Sequence, residues 1–176
     1  MREGINRLHV ESVLKKLRYE EETIMSLFRV LYEILTQNGW EFDFDNKNEI
    51  IKLEIRGINT NFHAFLLVDE EQESLLCNTY IKQKIPLSKR LKVCDFMSRV
   101  NYELANGNFE MDMDNGEIRY RTYLDLADAE PSKDQVLNTV WNGVLGFDTY
   151  FPGLMKLLYE NYSAEEAAAF CTDQDH

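Results

Sequence analysis

Cys77, Cys94 and Cys171 are the only nucleophilic thiols in the chain, and His9, His63 and His176 its only imidazoles. None of the six has a partner at the spacing that chemistry needs. There is no Cys-x-x-Cys pair, no histidine lies beside another candidate ligand, and no serine stands in a nucleophile elbow. Cys94 falls on an expected helix and would react only with a depressed pKa, so it reads as a small buried hydrophobe. His63 falls on an expected strand as an ordinary half-buried or surface residue. Gly143 and Gly146 lie inside an apolar helix rather than in a phosphate loop, and close helix packing accounts for them. Two acidic turns resemble calcium loops. Asp43 to Asn48 has Lys47 at the fifth position, and Glu110 to Asn115 would need Arg121 as its twelfth ligand; both lack the sixth-position glycine. Alternation along strands explains these acids. Paired carboxylates are to be expected by coincidence among 31 acids. The chain is therefore read as having no catalytic site, no cofactor and no metal.

The elements that carry these residues belong to a small acidic domain. The 176 residues are 44% apolar and 12% aromatic, with three prolines and eight glycines. That is the composition of one globular domain without linkers or repeats. The net charge of −12, from 31 acids and 19 bases, repels phosphate backbones and makes nucleic acid an unfavourable partner. Small basic groups, Lys15, Lys16 and Arg18, then Lys82, Lys84, Lys89, Arg90 and Lys92, read as solvated faces. The start of the chain leads into no apolar h-region. The longest apolar run, Ala64 to Val68, is too short to cross a bilayer. An odd number of widely spaced cysteines suits reduced thiols. A soluble cytoplasmic protein is expected, without a membrane partner.

Periodicity sets out the order of elements. Ile24, Phe28, Leu31 and Leu35 recur at helical spacing between Glu20 and Asn38, and Gly39 supplies the stop. A shorter segment, Ile5 to Leu17, reads as a helix or arm. From Trp40 the period is two. Strands are expected at Trp40–Phe44, Ile51–Ile55, Asn61–Val68 and Leu75–Ile85. Pro86 opens a helix that runs to Ala105, before Gly107. Asn108–Met113 and Ile118–Leu126 flank Asn115-Gly116, the preferred pair for a two-residue type I′ hairpin turn. That loop sets Asp112 opposite Arg119 and Glu110 opposite Arg121, with Met113 meeting Ile118 and Met111 meeting Tyr120. A helix follows Pro131, with Ser132 and Gln135 spaced as a capping box and a stripe of Leu137, Val140, Trp141, Val144 and Phe151. Pro152 is expected to break or kink it. A last short helix starts at Ser163, with Glu166 three residues on, and ends near Phe170. The expected domain spans 20–170, with an N-terminal arm or short helix at 1–19 and a frayed tail at 171–176.

The helix from Pro86 to Ala105 carries more apolar surface than one sheet can cover. Val93, Phe96, Met97, Val100 and Leu104 form one strip, assigned to the sheet. Leu87, Leu91, Cys94, Tyr102 and Ala105 form a second strip, mixed with Ser98. Leu87, Leu91, Cys94, Ser98 and Tyr102 are the candidates for a homodimer interface.

Several runs together resemble a known family. They are Cys94-Asp95-Phe96-Met97-Ser98-Arg99-Val100-Asn101-Tyr102, Gly107-Asn108-Phe109-Glu110-Met111-Asp112 and Asn115-Gly116-Glu117-Ile118-Arg119-Tyr120-Arg121. Tyr150-Phe151-Pro152-Gly153-Leu154-Met155, Tyr159 and Ser163-Ala164-Glu165-Glu166-Ala167 add to them, as does the first strand pair headed by Trp40. They are similar to the YbjN family of bacterial sensory-transduction regulators, over roughly residues 20 to 170. The resemblance implies an α+β fold like that of type III secretion chaperones: an antiparallel sheet covered by helices, usually dimeric and often acidic. It implies a protein-binding, chaperone-like or regulatory role, with a protein partner and no enzyme activity, and offers no catalytic residues to carry over. The competing reading is a small-ligand sensor or enzyme with a pocket between sheet and helices. A deep pocket with convergent polar groups would favour the second, and an exposed apolar patch the first.

Overall fold

The computed structural model describes residues 27–45, 47–48, 50–69, 74–126 and 129–172. The expected arm at 1–19, with Lys15, Lys16, Arg18 and His9, lies outside these residues, as do Ile24 and His176. Helix α1 (Leu27–Gln37) precedes strands β1 (Phe42–Asp45), β2 (Ile50–Arg56), β3 (Asn61–Asp69) and β4 (Ser74–Tyr80). A 3₁₀ turn (Leu87–Lys89) and helix α2 (Arg90–Glu103) follow. Then come β5 (Asn108–Met111), β6 (Ile118–Asp125), α3 (Lys133–Tyr159) and α4 (Ala164–Thr172). The six strands form one antiparallel sheet in the order β1-β2-β3-β4-β6-β5.

Alternation places one side of every strand in the core. Leu53, Ala64, Thr79, Tyr120 and Phe109 lie in one cross-strand row, and Ile51, Leu66, Cys77 and Thr122 in the next. All nine are buried. Helix α3 covers β3, β4 and β6, α2 lies beside β5, and α4 packs on both helices. The α3 backbone comes close to the sheet where its glycines stand. A Cβ on Gly143 would meet Thr79 Oγ1 at 2.6 Å, and one on Gly146 would meet the Tyr120 ring at 2.6 Å. Close packing is therefore the role of both glycines.

The local signals hold at the helix ends. Gly39 takes φ +72 after α1. Ser132 and Gln135 form a reciprocal capping box, and so do Ser163 and Glu166. The last helix runs to Thr172 and buries Cys171, two residues beyond the expected stop.

Three expectations are corrected. First, the β5–β6 register is displaced by two residues. Glu110 pairs with Arg119 and Met111 with Ile118. The loop is longer because Asp112 closes it: its Oδ1 accepts the N–H groups of Asp114 and Asn115, and its carbonyl accepts that of Gly116. Gly116, not Asn115, adopts positive φ. A shift of two leaves every side chain on its expected face. Second, Pro152 does not break α3, which continues through it. A proline deprives the carbonyl four residues earlier of its helical donor. That carbonyl belongs to Asp148 and accepts Asn59 Nδ2–H at 3.0 Å instead. Third, Trp141 does not join the buried stripe of Val140 and Val144. It is 39% exposed and packs edge-on against Trp40.

Candidate functional site

The two strips of α2 have different surroundings. Val93, Phe96, Met97 and Val100 are buried against the domain, and Leu104 is partly buried. On the second strip Leu87 is 75% exposed, Leu91 79% and Tyr102 87%. Ser98 and Ala105 are also exposed, whereas Cys94 is half-buried with its Sγ 3.4 Å from Met113 Sδ. The neighbouring helix α4 contacts the other flank of α2, around Arg99, Val100 and Glu103. Four of the five candidate residues thus form an uncovered ridge among the described residues, and Cys94 sits at its base.

The sheet has two edges, and they differ. At β5 the Phe109 N–H donates to Asn101 Oδ1 at 2.8 Å, and its carbonyl accepts Asn101 Nδ2–H at 3.1 Å. One helical amide side chain therefore satisfies both backbone groups and plugs that edge against strand pairing. β1 is the other edge, and no described strand pairs with its outer side. Phe42 and Phe44 pack under Tyr32 and Phe28 of α1, while Glu41 and Asp43 are exposed.

The outer sheet face carries a polar ladder. Glu110 binds Arg119 at 2.6 Å and Arg121 at 3.2 Å; Arg119 reaches Tyr80 Oη, and Arg121 reaches Asn78. Partial burial pushes the Glu110 pKa up, but the hydrogen bonds from Arg119 and Asn108 and the two guanidinium charges outweigh it, so the net shift is downward. A folded-state pKa below the unfolded one stabilises above the unfolded value and loses that stability as pH falls through the folded one. Glu110→Gln should therefore cost up to about 1 kcal/mol at neutral pH and nothing at low pH. Urea midpoints of both proteins from pH 7 to pH 3 should converge; parallel curves would refute the linkage. The His63–Glu54 contact of 3.5 Å lies on the same face.

Other residues singled out by sequence have structural work. Asp45 Oδ1 accepts the N–H groups of Lys47 and Asn48, so this acid closes a turn, as Asp112 does. Arg90 is not a free surface cation: its guanidinium binds the carbonyls of Ile85, Met113 and Asp114 and pins the hairpin tip to α2. Burial pushes the Cys77 thiol up to about 12. Burial also raises Cys171, against a hydrogen bond with the backbone of Gly153. Sequence reasoning missed the roles of Asn101 and Asp148. An acid among Val144, Phe147 and Phe151 on an apolar helix was the available signal for Asp148.

Two depressions of the described surface have charged residues in their lining. One, of about 260 Å³, is lined by Glu110, Asp112, Glu117 and Arg119. Another, of about 410 Å³, opens between α2, α3 and α4. Between sheet and helices, buried side chains from both form one apolar cluster. Among the described residues, no group of three or more His, Cys, Asp or Glu side chains is assembled to hold a metal. Nor is any described helix long and apolar enough to cross a membrane.

These features define an α+β scaffold, an antiparallel sheet backed by helices, with a helix ridge and the outer side of β1 both uncovered among the described residues. The chain belongs to the YbjN family, described as "Putative bacterial sensory transduction regulator", whose model matches residues 28–155. Among solved structures it is similar to YbjN from E. coli, with a TM-score of 0.50 at 16% identity over 74% of this chain and 88% of that one. It is also similar to the ExsC–ExsE complex (TM-score 0.47, 15% identity, 71% of this chain and 90% of that one). A third similarity is to the HopA1–SchA chaperone–effector complex (0.43, 16%, 70% and 94%). No curated protein sequence matches the chain. At these identities the likeness to E. coli YbjN shows the fold alone.

Proposed function

We propose that the protein is a non-enzymatic, homodimeric protein-binding module with a chaperone-like or regulatory role in the cytoplasm. The observation that carries this reading is the uncovered ridge of Leu87, Leu91 and Tyr102, each at least 75% exposed. Leu87 and Leu91 stand one turn apart and Tyr102 lies three turns further along the same strip, so among the described residues one helix face presents large apolar side chains to solvent. A second copy of the same ridge, running antiparallel, sets the leucines of one copy against the tyrosine of the other in a self-complementary two-fold interface. The outer side of β1, unpaired among the described residues, supports the protein-binding half of the reading. An extended segment of a partner can pair with it, and cations at alternate positions would face Glu41 and Asp43.

Paired substitutions test the dimer. Leu91→Asp places a charge on the ridge and should give a folded monomer by light scattering and circular dichroism. Phe96→Asp places one in the core, where Phe96 is fully buried, and should unfold the domain. A wild type that is monomeric at micromolar concentration rejects the dimer, and an L91D variant that stays dimeric rejects the ridge as its interface. A partner captured from the native host should slow amide exchange in β1. Protection elsewhere would reject the edge.

A further inference from the structure

We propose that the outer face of the sheet is a docking surface for the chain's own N-terminal segment, with Val10, Val13, Leu14 and Leu17 laid across the strands as one face of a helix. This surface is separate from the ridge of α2. Helices α1 and α3 lie on the other face of the sheet, over Phe44, Thr79, Tyr120 and Phe109. A sheet face turned to solvent is expected to be polar. One end of this face is, with Glu110, Arg119 and Arg121 in a ladder. The other end is not.

Ile50, Leu67, Leu76 and Tyr123 are paired neighbours on β2, β3, β4 and β6 and form one cross-strand row there. Phe65 stands in the next row, edge-on to Tyr80. Tyr123 is 55% exposed, and the other three residues of the row are half-buried. Four strands at a spacing of ~4.8 Å make the row about 14 Å long. Acids border it. Asp45 pairs with Ile50 at one end, and Asp69 and Asp125 flank Ser74 in the row beyond. The sequence that joins β3 to β4 is Glu70-Glu71-Gln72-Glu73.

The first 19 residues are the chemical complement of this surface. They carry Arg2, Arg7, Lys15, Lys16 and Arg18 against Glu3 and Glu11, a net +3 in a chain of net charge −12. Val10, Val13, Leu14 and Leu17 have the i, i+3, i+4, i+7 spacing of one helix face. At 1.5 Å per residue that face is about 10 Å long, close to the length of the row. At 100° per residue Arg7 and Arg18 fall beside Leu14 at one margin of the stripe, and Lys16 falls at the other. Apolar groups therefore meet the row while the cations reach its acidic border. Glu20 and Glu21 interrupt the apolar pattern and separate this stripe from the one on α1.

The chain enters the described domain at the matching corner of the sheet. Phe28, at the start of α1, stacks on Phe44 with ring centres 4.3 Å apart. Phe44 precedes Asp45, whose partner is Ile50, the first residue of the row. Nine residues separate Leu17 from Leu27, up to about 30 Å of chain when extended. Packed layers stand about 10 Å from a sheet, so crossing from one side to the other takes about 20 Å. The segment thus reaches the row of its own chain.

Amide exchange and hydroxyl-radical footprinting of the full chain, both read by mass spectrometry, test the docking. Residues 10–17 should exchange at least about tenfold slower than in the free peptide of residues 1–19. Tyr123→Lys should abolish that protection and leave exchange in β2 and β3 unchanged. Arg7→Glu with Arg18→Glu should speed exchange of residues 10–17 about threefold at low salt, whereas Lys82→Glu with Lys84→Glu, an equal change in net charge, should not. In the reverse direction, Leu14→Asp with Leu17→Asp should raise oxidation of Leu67 and Leu76 about threefold relative to the exposed Ile58. If Tyr123→Lys loosens the sheet itself, the oxidation result decides. An unprotected segment, protection that survives Tyr123→Lys, equal action of the two charge pairs, or unchanged oxidation of Leu67 and Leu76 overturns the proposal. Protection that rises with protein concentration overturns the assignment in cis and gives the face to the segment of a second copy. Light scattering of the same variants reads the ridge dimer separately.

Discussion

Gly116→Val should destabilise the fold by about 3–5 kcal/mol, the strain of positive φ adding to a clash that side-chain motion cannot relieve. Gly116 sits at φ +76. A Cβ there would lie 2.2 Å from the Ile85 carbonyl oxygen and 3.0 Å from Arg90 Nε. The Ile85 N–H donates to the Gly116 carbonyl at 2.7 Å. The valine would therefore push apart the hairpin tip and the segment that leads into α2, which Arg90 also ties together. Asn115→Val, one residue earlier, should cost no more than about 1 kcal/mol. Asn115 is exposed, and the substitution removes only its bonds to Asp112 and to the Glu117 N–H. Urea midpoints of the two variants decide the matter. Equal shifts would mean that the positive-φ position has been misplaced.

Asp148→Ala is the second large effect, at about 2–4 kcal/mol. The carboxylate is 3% exposed and accepts the N–H groups of Ile58 and Asn59 at 2.7 and 3.0 Å. Alanine leaves both donors without their acceptor at a docked turn. Water reaching the exposed Ile58 side of the turn lowers the cost from that of a fully buried pair. Asn59 returns a bond to the Asp148 carbonyl that Pro152 left without a helical donor. The turn and the helix are thus bound in both directions, and Asp148→Ala and Asn59→Ala should be less than additive in a double-mutant cycle. Full additivity in thermal or urea unfolding would show that the two bonds act independently.

Much of the fold was legible because local interactions decide it. The two-residue period of Ile51, Leu53 and Ile55 sorts the faces of β2 whatever its neighbours do. Ser132 with Gln135 caps a helix, and so does Ser163 with Glu166, through bonds confined to one turn. Gly39 stops α1 for the same kind of reason. The two strips of α2 could be separated on a helical wheel, and the strip assigned to the sheet is the buried one, though α2 lies beside β5 alone among the strands and packs on α3 and α4 as well. The sequence also determined the family, through runs that the fold requires.

Tertiary structure decided what depends on residues far apart in the chain. Asn115-Gly116 is compatible with a two-residue turn and with a longer one. Asp112 and the Ile85–Gly116 bond select the longer loop, and Glu110 meets Arg119 instead of Arg121. Pro152 ends most helices, yet α3 continues because Asn59, 93 positions earlier in the numbering of the chain, satisfies the Asp148 carbonyl. Asn101 is one polar residue at the margin of an apolar strip until β5 lies beside it, and then it closes a sheet edge. Side-chain period and capping act over a few residues and are written in the sequence. A plugged edge, a strand side left unpaired among the described residues and a helix pair covered by α4 exist only once distant segments have met.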